Sequence, residues 1–221
     1  MKLNVIITGS TGMVGKGVLL ECLDNMEVET VLIINRSSVG ISHPKLKEII
    51  HKDFFDWSAI RSQLGGYNAC YFCLGVSSVG MKEPDYTRMT YDLTLGFARE
   101  ILPLNPEMTF CYVSGAGTDS SEKGRSMWAR VKGKTENDLL ALGFKAAYMF
   151  RPGFIQPMKG IKSKTPLYQG IYNVISPLYG LLRRMPRFVT TTVILGKAMI
   201  GVALHGYKTN VLESLDINSF K

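Results

Sequence analysis

Long uninterrupted apolar runs are missing from this 221-residue chain, and their absence excludes the simplest kind of membrane protein. No stretch of 18 or more uncharged apolar residues occurs, so the sequence predicts no membrane-spanning helix. No secretory leader is evident either, because Gly9 and Gly12 interrupt the first apolar stretch after a few residues. These absences lead us to expect a cytoplasmic protein.

Cysteine is scarce, with four residues in the chain, which argues against a disulfide-stabilised secreted domain. Cys70 and Cys73 have the spacing of a redox motif, but they lie in a strand-like run. Side chains three positions apart on a strand face opposite sides of the sheet. Buried reduced thiols are therefore favoured over a redox or metal pair, and no metal site is predicted.

Blocks of consecutive like charges are also absent, although the formal net charge is +8 at pH 7. A basic balance suits nucleic acid, an anionic membrane surface or a phosphate-rich cofactor. Aromatic residues do not alternate with a stripe of lysine and arginine as in known nucleic-acid motifs, so nucleic-acid binding is not predicted. The composition therefore leaves a globular protein with a phosphate-bearing ligand as the favoured interpretation.

What the chain does contain is a glycine-rich turn between an apolar strand-like run, residues 3–7, and a helix-like stretch, residues 16–26. Such a turn directs backbone N–H groups and the positive end of a helix dipole at a pyrophosphate. Gly9 is expected to permit the tight turn, Gly12 the approach of the phosphates, and Gly15 close packing of helix on strand. The alternative is a purely structural turn. The residues predicted to contact the pyrophosphate are Gly9, Ser10, Thr11, Gly12, Met13, Val14 and Gly15.

Apolar strand-like runs and helix-like runs alternate from this point. Near-continuous apolar strands separated by helices predict a parallel sheet covered on both faces. Right-handed crossovers make it a Rossmann-type, doubly wound α/β sheet, with a ligand crevice at the carboxyl ends of its strands. The predicted strands lie near Leu3–Thr8, Thr30–Asn35, Lys47–His51, Ala69–Leu74, Thr109–Ser114 and Ala146–Phe150, and the predicted helices near Gly12–Met26, Trp57–Leu64, Asp85–Leu102 and Met127–Leu142.

The last third of the chain lacks this rhythm, apart from a further predicted helix at Val193–Leu204. We therefore expect a single NAD(P)-binding domain over residues 1–221, with a Rossmann core at 1–155. Residues 156–221 are expected to form a small C-terminal cap over the substrate region.

The residues after the second predicted strand bear on the choice of cofactor. An NAD-selective site usually places an acidic residue there to bind the ribose hydroxyls. This chain has Asn35, Arg36 and Ser37 instead. The planar guanidinium of Arg36 is suited to a 2′-phosphate, and Ser37 adds a hydrogen-bond donor. NADP is therefore predicted in preference to NAD, the alternative being an ordinary solvated arginine.

Two further strand ends offer contacts for the adenosine half. Asp53 is placed to accept from the adenine amino group and Phe54 to pack beside the base, although Asp53 also suits a helix cap. Cys73, Leu74 and Gly75 end the fourth predicted strand, where a glycine lets a sugar or phosphate approach the backbone. A plain strand-end turn would look the same.

These motifs, with Val113-Ser114-Gly115 and Arg151-Pro152-Gly153, recur in an order that resembles a known family. They look like the atypical and extended short-chain dehydrogenases/reductases, including NmrA-like and Tat-interacting-protein-like members. The resemblance covers the first 155 residues and implies a dinucleotide-binding fold. It also implies that Pro152, Gly153 and Phe154 pass the nicotinamide end of the cofactor.

In that family a Tyr-x-x-x-Lys pair on one helix face transfers the proton while hydride moves. The matching positions here are Trp128 and Lys132, so the lysine is present and the tyrosine is not. The family serine corresponds best to Ser114. Lys132 and Ser114 are therefore the candidate catalytic residues. Tyr86 and Tyr91 are alternative proton sources for which packing roles are favoured.

The sequence favours an NADP(H)-dependent oxidoreductase that acts on a small carbonyl or quinone-like substrate, with apolar residues of the C-terminal third lining the cleft. The missing tyrosine supports an alternative, a non-catalytic NADP(H)-sensing or partner-binding protein. A third interpretation is weak membrane-surface association through Tyr168–Arg187, which mixes aromatic and basic residues.

Overall fold

A computed structural model describes residues 2–161 and 186–221 of the chain. It contains a seven-stranded sheet in which every neighbouring pair of strands is parallel, and a small two-stranded sheet. The strands are β1 (Leu3–Thr8), β2 (Val28–Asn35), β3 (Leu46–Ile50), β4 (Ala69–Phe72), β5 (Thr109–Val113), β6 (Ala146–Arg151), β7 (Phe154–Gln156), β8 (Val189–Thr191) and β9 (Val211–Glu213). The large sheet has the order β3-β2-β1-β4-β5-β6-β9, and β7 pairs with β8.

The helices connect these strands, except for the last two along the chain, which follow β9. The α-helices are α1 (Met13–Asp24), α2 (Glu83–Thr87), α3 (Leu93–Ile101), α4 (Met127–Ala141), α5 (Thr192–His205) and α6 (Ser214–Ile217). A π-helical turn at Arg88–Asp92 joins α2 to α3, and short 3-10 helices occupy Ser58–Gln63, Leu102–Leu104 and Asn218–Phe220.

Alternation along the strands divides the core into two clusters, one on each face of the large sheet. On β1, Val5 and Ile7 join the cluster beneath α1 and α5, whereas Ile6 joins the cluster beneath α3 and α4. All three side chains are fully buried. The same alternation puts Cys70 and Cys73 against opposite clusters, as the sequence predicts. The predicted doubly wound α/β sheet is therefore confirmed.

All six predicted strands are present, with end points that differ by a few residues. The helix predicted near Trp57–Leu64 is a 3-10 helix, in which Ile60 is the buried residue, so it lacks the apolar stripe that holds an α-helix on a sheet. The helix predicted near Asp85–Leu102 has the expected extent but is interrupted by the π-helical turn.

The C-terminal third contributes more to the main body than the sequence indicates. Strand β9 extends the large sheet, with Leu212 opposite Phe150 of β6. Helix α5, confirmed at the predicted position, packs along α1. Strand β9 and helix α5 thus belong to the large sheet and to the layer that covers it. A separate cap beginning at residue 156 stays a prediction, as does the division into these two parts.

Candidate functional site

The glycine turn is held against the end of β4 by very close backbone contacts. Gly9 adopts a φ of +74°, and a Cβ there would lie 2.7 Å from the backbone nitrogen of Leu74. A Cβ on Gly15 would lie 2.4 Å from the carbonyl oxygen of Gly9. Both positions therefore require glycine for steric reasons. The Gly12 N–H donates to the Gly9 carbonyl at 2.9 Å, and α1 begins at the next residue.

A cavity of about 440 Å³ opens where α1 begins. It lies at the carboxyl ends of β1, β4, β5 and β6, on either side of the point where the strand order reverses between β1 and β4. The first turn of a helix has backbone N–H groups without intrahelical partners, and here that turn faces the cavity. The lining residues are Gly12, Met13, Val14, Cys73, Leu74, Gly75, Val76, Ser77, Val113, Ser114, Gly115, Lys132, Pro152, Gly153 and Ile155.

A second cavity of about 140 Å³ adjoins the first. The two share Leu74, Gly75 and Val76 in their linings, so they are neighbours along the same edge of the sheet. The smaller cavity combines cationic, aromatic and aliphatic side chains around a single carboxylate. Its lining residues are Arg36, Lys52, Asp53, Phe54, Phe55, Leu74, Gly75, Val76, Met89 and Leu93.

The residue that occupies the usual acidic position, Asn35, is buried and points inward. Its side-chain oxygen accepts from the Ser10 hydroxyl at 3.0 Å, and its amide nitrogen lies 3.4 Å from Glu48. Arg36, the next residue, is exposed and lines the smaller cavity. Ser37 is exposed but does not line either cavity. The chain directly after β2 therefore places the Arg36 guanidinium, and no carboxylate, at the smaller cavity.

Asp53 makes a local turn rather than a helix cap. Its Oδ1 accepts from the backbone N–H of Phe55 at 2.9 Å. Asp56 makes the same kind of turn, its Oδ1 accepting from the Ser58 N–H at 2.9 Å, and the N-cap of the 3-10 helix is Trp57. Phe54 is buried and packs edge-on against Trp57, with ring centroids 5.0 Å apart. Asp53 and Phe54 are thus both held at the cavity wall.

Lys132 and Ser114, the two candidate catalytic residues, meet at the floor of the larger cavity. The Lys132 ammonium donates to the backbone carbonyl of Ser114. Burial lowers the pKa of Lys132 to about 8, while the carboxylate of Glu136 opposes that shift. The Ser114 hydroxyl donates to the carbonyl of Phe150 at 3.1 Å. It is therefore already engaged, whereas the ammonium retains donors for a ligand.

The aromatic residues considered as proton sources lie elsewhere. Trp128 is half-buried one helical turn before Lys132, and a Cβ on Gly117 would lie 3.6 Å from its ring. Tyr86 is buried, and the Tyr91 hydroxyl donates to Asp138 at 2.5 Å. None of these three rings lines either cavity. Tyr86 and Tyr91 thus have the packing and structural environments that the sequence favours.

A buried ion pair that the sequence analysis missed supports the cavity floor. Glu136 lies one turn after Lys132 on α4, and the Arg151 Nε donates to both of its carboxylate oxygens at 3.1 Å. The Arg151 guanidinium also donates to Ser120 at 2.5 Å and lies 3.4 Å from Glu213. Arg151 ends β6 and directly precedes Pro152 and Gly153, which line the larger cavity. This pair therefore ties α4, β6 and β9 together beneath the site.

The predicted contact residues divide into those that line a cavity and those that support one. Gly9 and Gly15 allow the close backbone packing of the turn, and the Ser10 hydroxyl donates to Asn35. Thr11 is half-buried, and Phe154 lies in β7 outside the cavity walls. Some wall residues that sequence reasoning missed are chain neighbours of ones that it found, as Lys52 precedes Asp53 and Val76 follows Gly75. Met89 and Leu93 instead come from the π-helical turn and the start of α3. The wall residues outside the predicted set include Lys52, Phe55, Val76, Ser77, Met89 and Leu93.

Comparison with known sequences finds distant relatives over most of the chain, and no family model matches it. The chain is 28% identical over 207 residues to "Protein FMP52, mitochondrial" of Debaryomyces hansenii, covering 92% of this chain and 87% of that protein. It is also 28% identical over 159 residues to "Protein fmp52, mitochondrial" of Emericella nidulans, covering 69% and 66%. The cytoplasmic location expected from the sequence is corrected by these relatives, which are named as mitochondrial proteins.

Comparison with solved structures decides the fold. The chain superimposes with a TM-score of 0.66 on YIR035C of Saccharomyces cerevisiae, a short-chain dehydrogenase/reductase, at 13% identity and 99% coverage of each chain. The fold is that of the short-chain dehydrogenases/reductases. It also matches WbmF of Bordetella bronchiseptica in complex with NAD⁺, with a TM-score of 0.70 at 14% identity, covering 99% of this chain and 77% of that one. The predicted dinucleotide-binding fold is thus confirmed, and NADP preference stays a prediction.

Two other predictions concern membranes and metals. Of the helices that the structure describes, none has both the length and the apolar character needed to cross a bilayer. Within residues 2–161 and 186–221, no three histidine, cysteine or acidic side chains are grouped to hold a metal ion. Residues 168–185 of the predicted membrane-surface segment Tyr168–Arg187, and most of the aromatic residues expected at the substrate cleft, lie outside the described residues.

Proposed function

We propose that this protein is an NADP(H)-dependent oxidoreductase with the short-chain dehydrogenase/reductase fold, acting on a small carbonyl or quinone-like substrate. The observation that carries the proposal is the adjacency of the two cavities, which share a wall at Leu74, Gly75 and Val76. The start of α1 and Lys132 line the larger cavity, and Arg36 lines the smaller one. Because its relatives are named as mitochondrial, we propose a mitochondrial location for this chain as well.

The residues present fit a dinucleotide. The backbone at Gly12 and Met13 would hold the pyrophosphate, and Arg36 the 2′-phosphate. Phe54 would pack beside the adenine. Lys132 would donate to the hydroxyls of the second ribose. When bound, NADPH supplies hydride to an acceptor carbon.

The protein's own contribution to chemistry would come from Lys132 and Ser114. The Lys132 ammonium, buried beside the Ser114 carbonyl, would orient the ribose and place a positive charge near the reacting oxygen. The Ser114 hydroxyl would have to turn from the Phe150 carbonyl to reach a substrate. A second candidate function follows from these contacts, together with the absence of a phenol at position 128. It is a non-catalytic NADP(H)-binding protein that senses the cofactor or binds a regulatory partner.

Cofactor preference provides the first test. Calorimetry with NADPH and NADH should show tighter binding of NADPH to the native protein. Arg36→Asp should remove that preference, because it replaces a charge-assisted contact worth about 1.5–3 kcal/mol with a repulsive carboxylate. Equal affinities in the native protein would contradict the NADP assignment, and no binding of either would contradict the whole proposal.

Turnover separates the two candidate functions. NADPH oxidation is followed against a panel of aldehydes, ketones and quinones, with Lys132→Met as the inactive control. Turnover that Lys132→Met removes supports the oxidoreductase. Tight NADPH binding without turnover on any member supports the non-catalytic alternative.

A further inference from the structure

Two cations face the smaller cavity from neighbouring strand ends. Strands β2 and β3 are parallel, and the ladder continues past β3 because the His51 N–H donates to the Asn35 carbonyl at 2.9 Å. Arg36 directly follows Asn35 and Lys52 directly follows His51, so the two cationic residues leave the sheet side by side. Both are exposed, and both line the cavity.

The acidic residues close to these cations are engaged by other donors. Glu48 accepts from the Ser38 hydroxyl at 2.5 Å and from the Val39 N–H at 2.9 Å. Asp53 accepts from a backbone N–H within its own turn. Among the residues that the structure describes, neither Arg36 nor Lys52 forms an ion pair. The cavity is therefore lined by two cations and one carboxylate, Asp53, and this excess of positive charge favours an anionic ligand.

The remaining walls of the cavity suit an aromatic base. Phe54 and Phe55 provide rings, while Leu74, Met89 and Leu93 provide an aliphatic surface. The Arg88 guanidinium lies 4.8 Å from the Phe55 ring centroid, and Phe55 remains exposed. A ligand that fills this cavity therefore has an apolar planar part and at least one phosphate next to it.

We propose that Lys52 is a specificity-determining residue which, together with Arg36, binds a phosphate on the adenosine ribose. Arg36 supplies a planar fork for two phosphate oxygens, and Lys52 supplies a compact charge from the opposite strand end. Two cations match the charge of a phosphate dianion, so the site selects adenine dinucleotides that carry a 2′-phosphate. The inference rests on the proposed function, because it assigns the adenosine end of the same cofactor site.

The test uses ligands that contain only this end of the cofactor. Calorimetry compares adenosine 2′,5′-bisphosphate with adenosine 5′-monophosphate on the native protein and on Lys52→Met, Arg36→Met and Lys52→Arg. Lys52→Met should weaken the bisphosphate about 10- to 100-fold, the value of one charge-assisted contact, and leave the monophosphate unchanged. Lys52→Arg should keep most of the selectivity.

Lys47→Met is the matched control. Lys47 is an exposed lysine of β3 that lines neither cavity, so its loss removes the same charge from the same strand. If Lys47→Met and Lys52→Met weaken the bisphosphate equally, general charge accounts for the effect and the proposal is overturned. It is also overturned if Lys52→Met weakens both ligands alike, or if adenosine 3′,5′-bisphosphate binds as tightly as the 2′,5′ isomer.

These outcomes are distinct from failure of the proposed function. A protein that selects the 2′,5′-bisphosphate through Lys52 but never oxidises NADPH keeps this inference and loses the oxidoreductase. A protein that oxidises NADPH and NADH equally, with no effect of Lys52→Met on either, keeps the oxidoreductase and loses this inference.

Discussion

Removing Arg151 tests how strongly the buried ion pair holds the floor of the site. The side chain of Glu136 is 1% exposed and that of Arg151 is 11% exposed, so water cannot replace the contacts that are lost. Arg151→Met would leave the Glu136 carboxylate buried without the guanidinium that it pairs with. Breaking a buried pair in this way costs about 3–5 kcal/mol of unfolding free energy, because an uncompensated charge remains.

An exposed pair in the same protein supplies the comparison. Arg61 and Glu100 form an ion pair with side-chain exposures of 49% and 26%. Pairs of this kind contribute about 0–1 kcal/mol because solvent screens them. Arg61→Met should therefore lower the unfolding free energy far less than Arg151→Met does.

The assay is equilibrium unfolding in urea, followed by circular dichroism, for Arg151→Met, Glu136→Gln, the double variant and Arg61→Met. The double variant should be more stable than Arg151→Met alone, since it removes the orphaned carboxylate as well. The reasoning is refuted if Arg151→Met costs no more than Arg61→Met. It is also refuted if the effects of Arg151→Met and Glu136→Gln on the unfolding free energy add up in the double variant, because residues that interact directly should show coupling.

Three other predictions concern the cofactor and the chemistry. Gly12→Val should abolish NADPH binding, because the valine Cβ would lie 3.3 Å from the Gly9 carbonyl oxygen and its methyl groups would occupy the larger cavity. Circular dichroism should show an intact fold, and native NADPH affinity in a fluorescence titration would contradict the prediction. The Lys132 ammonium, with its pKa lowered to about 8, should be lost as pH rises through that value, so NADPH affinity should fall between about pH 7 and 9 in calorimetry. Lys132→Met should bind more weakly and without that pH dependence. Trp128→Tyr should raise reductase turnover if its phenol can reach the substrate, and unchanged turnover with intact NADPH binding would count against that route.

Much of the fold follows from local patterns in the chain. The run at β1 alternates between the two core clusters, and the glycine turn that follows specifies both the end of the strand and the start of α1. These signals lie within a few residues of one another. Strand β9 has three residues, of which Leu212 is the buried one, and so short a run has no readable period. Its place is fixed by pairing with β6, which lies far away along the chain.

The residues that line the cavities could be predicted better than the contacts that hold those residues in place, because the first follow from local patterns and the second do not. Arg36 and Asp53 stand at the ends of recognisable strands, so their positions follow from the topology. The contact between Glu136 and Arg151, and the contact of Arg151 with Glu213, join residues on three separate elements. No local spacing indicates them. The engagement of the Ser114 hydroxyl by Phe150 likewise depends on the register of β5 and β6.

The distribution of polar groups along the two cavities indicates where the remaining chemical question lies. At the adenosine end, two cations and a carboxylate surround a wall of rings. Around the larger cavity, the side-chain hydroxyl and amine groups of the described residues belong to Ser77, Ser114 and Lys132. Ser114 is engaged by a backbone carbonyl, and Ser77 lies in the exposed segment after β4. Lys132 is then the charged group best placed to act on a substrate, so the pH dependence of Lys132 is more informative about chemistry than Trp128, whose ring lies outside the cavity.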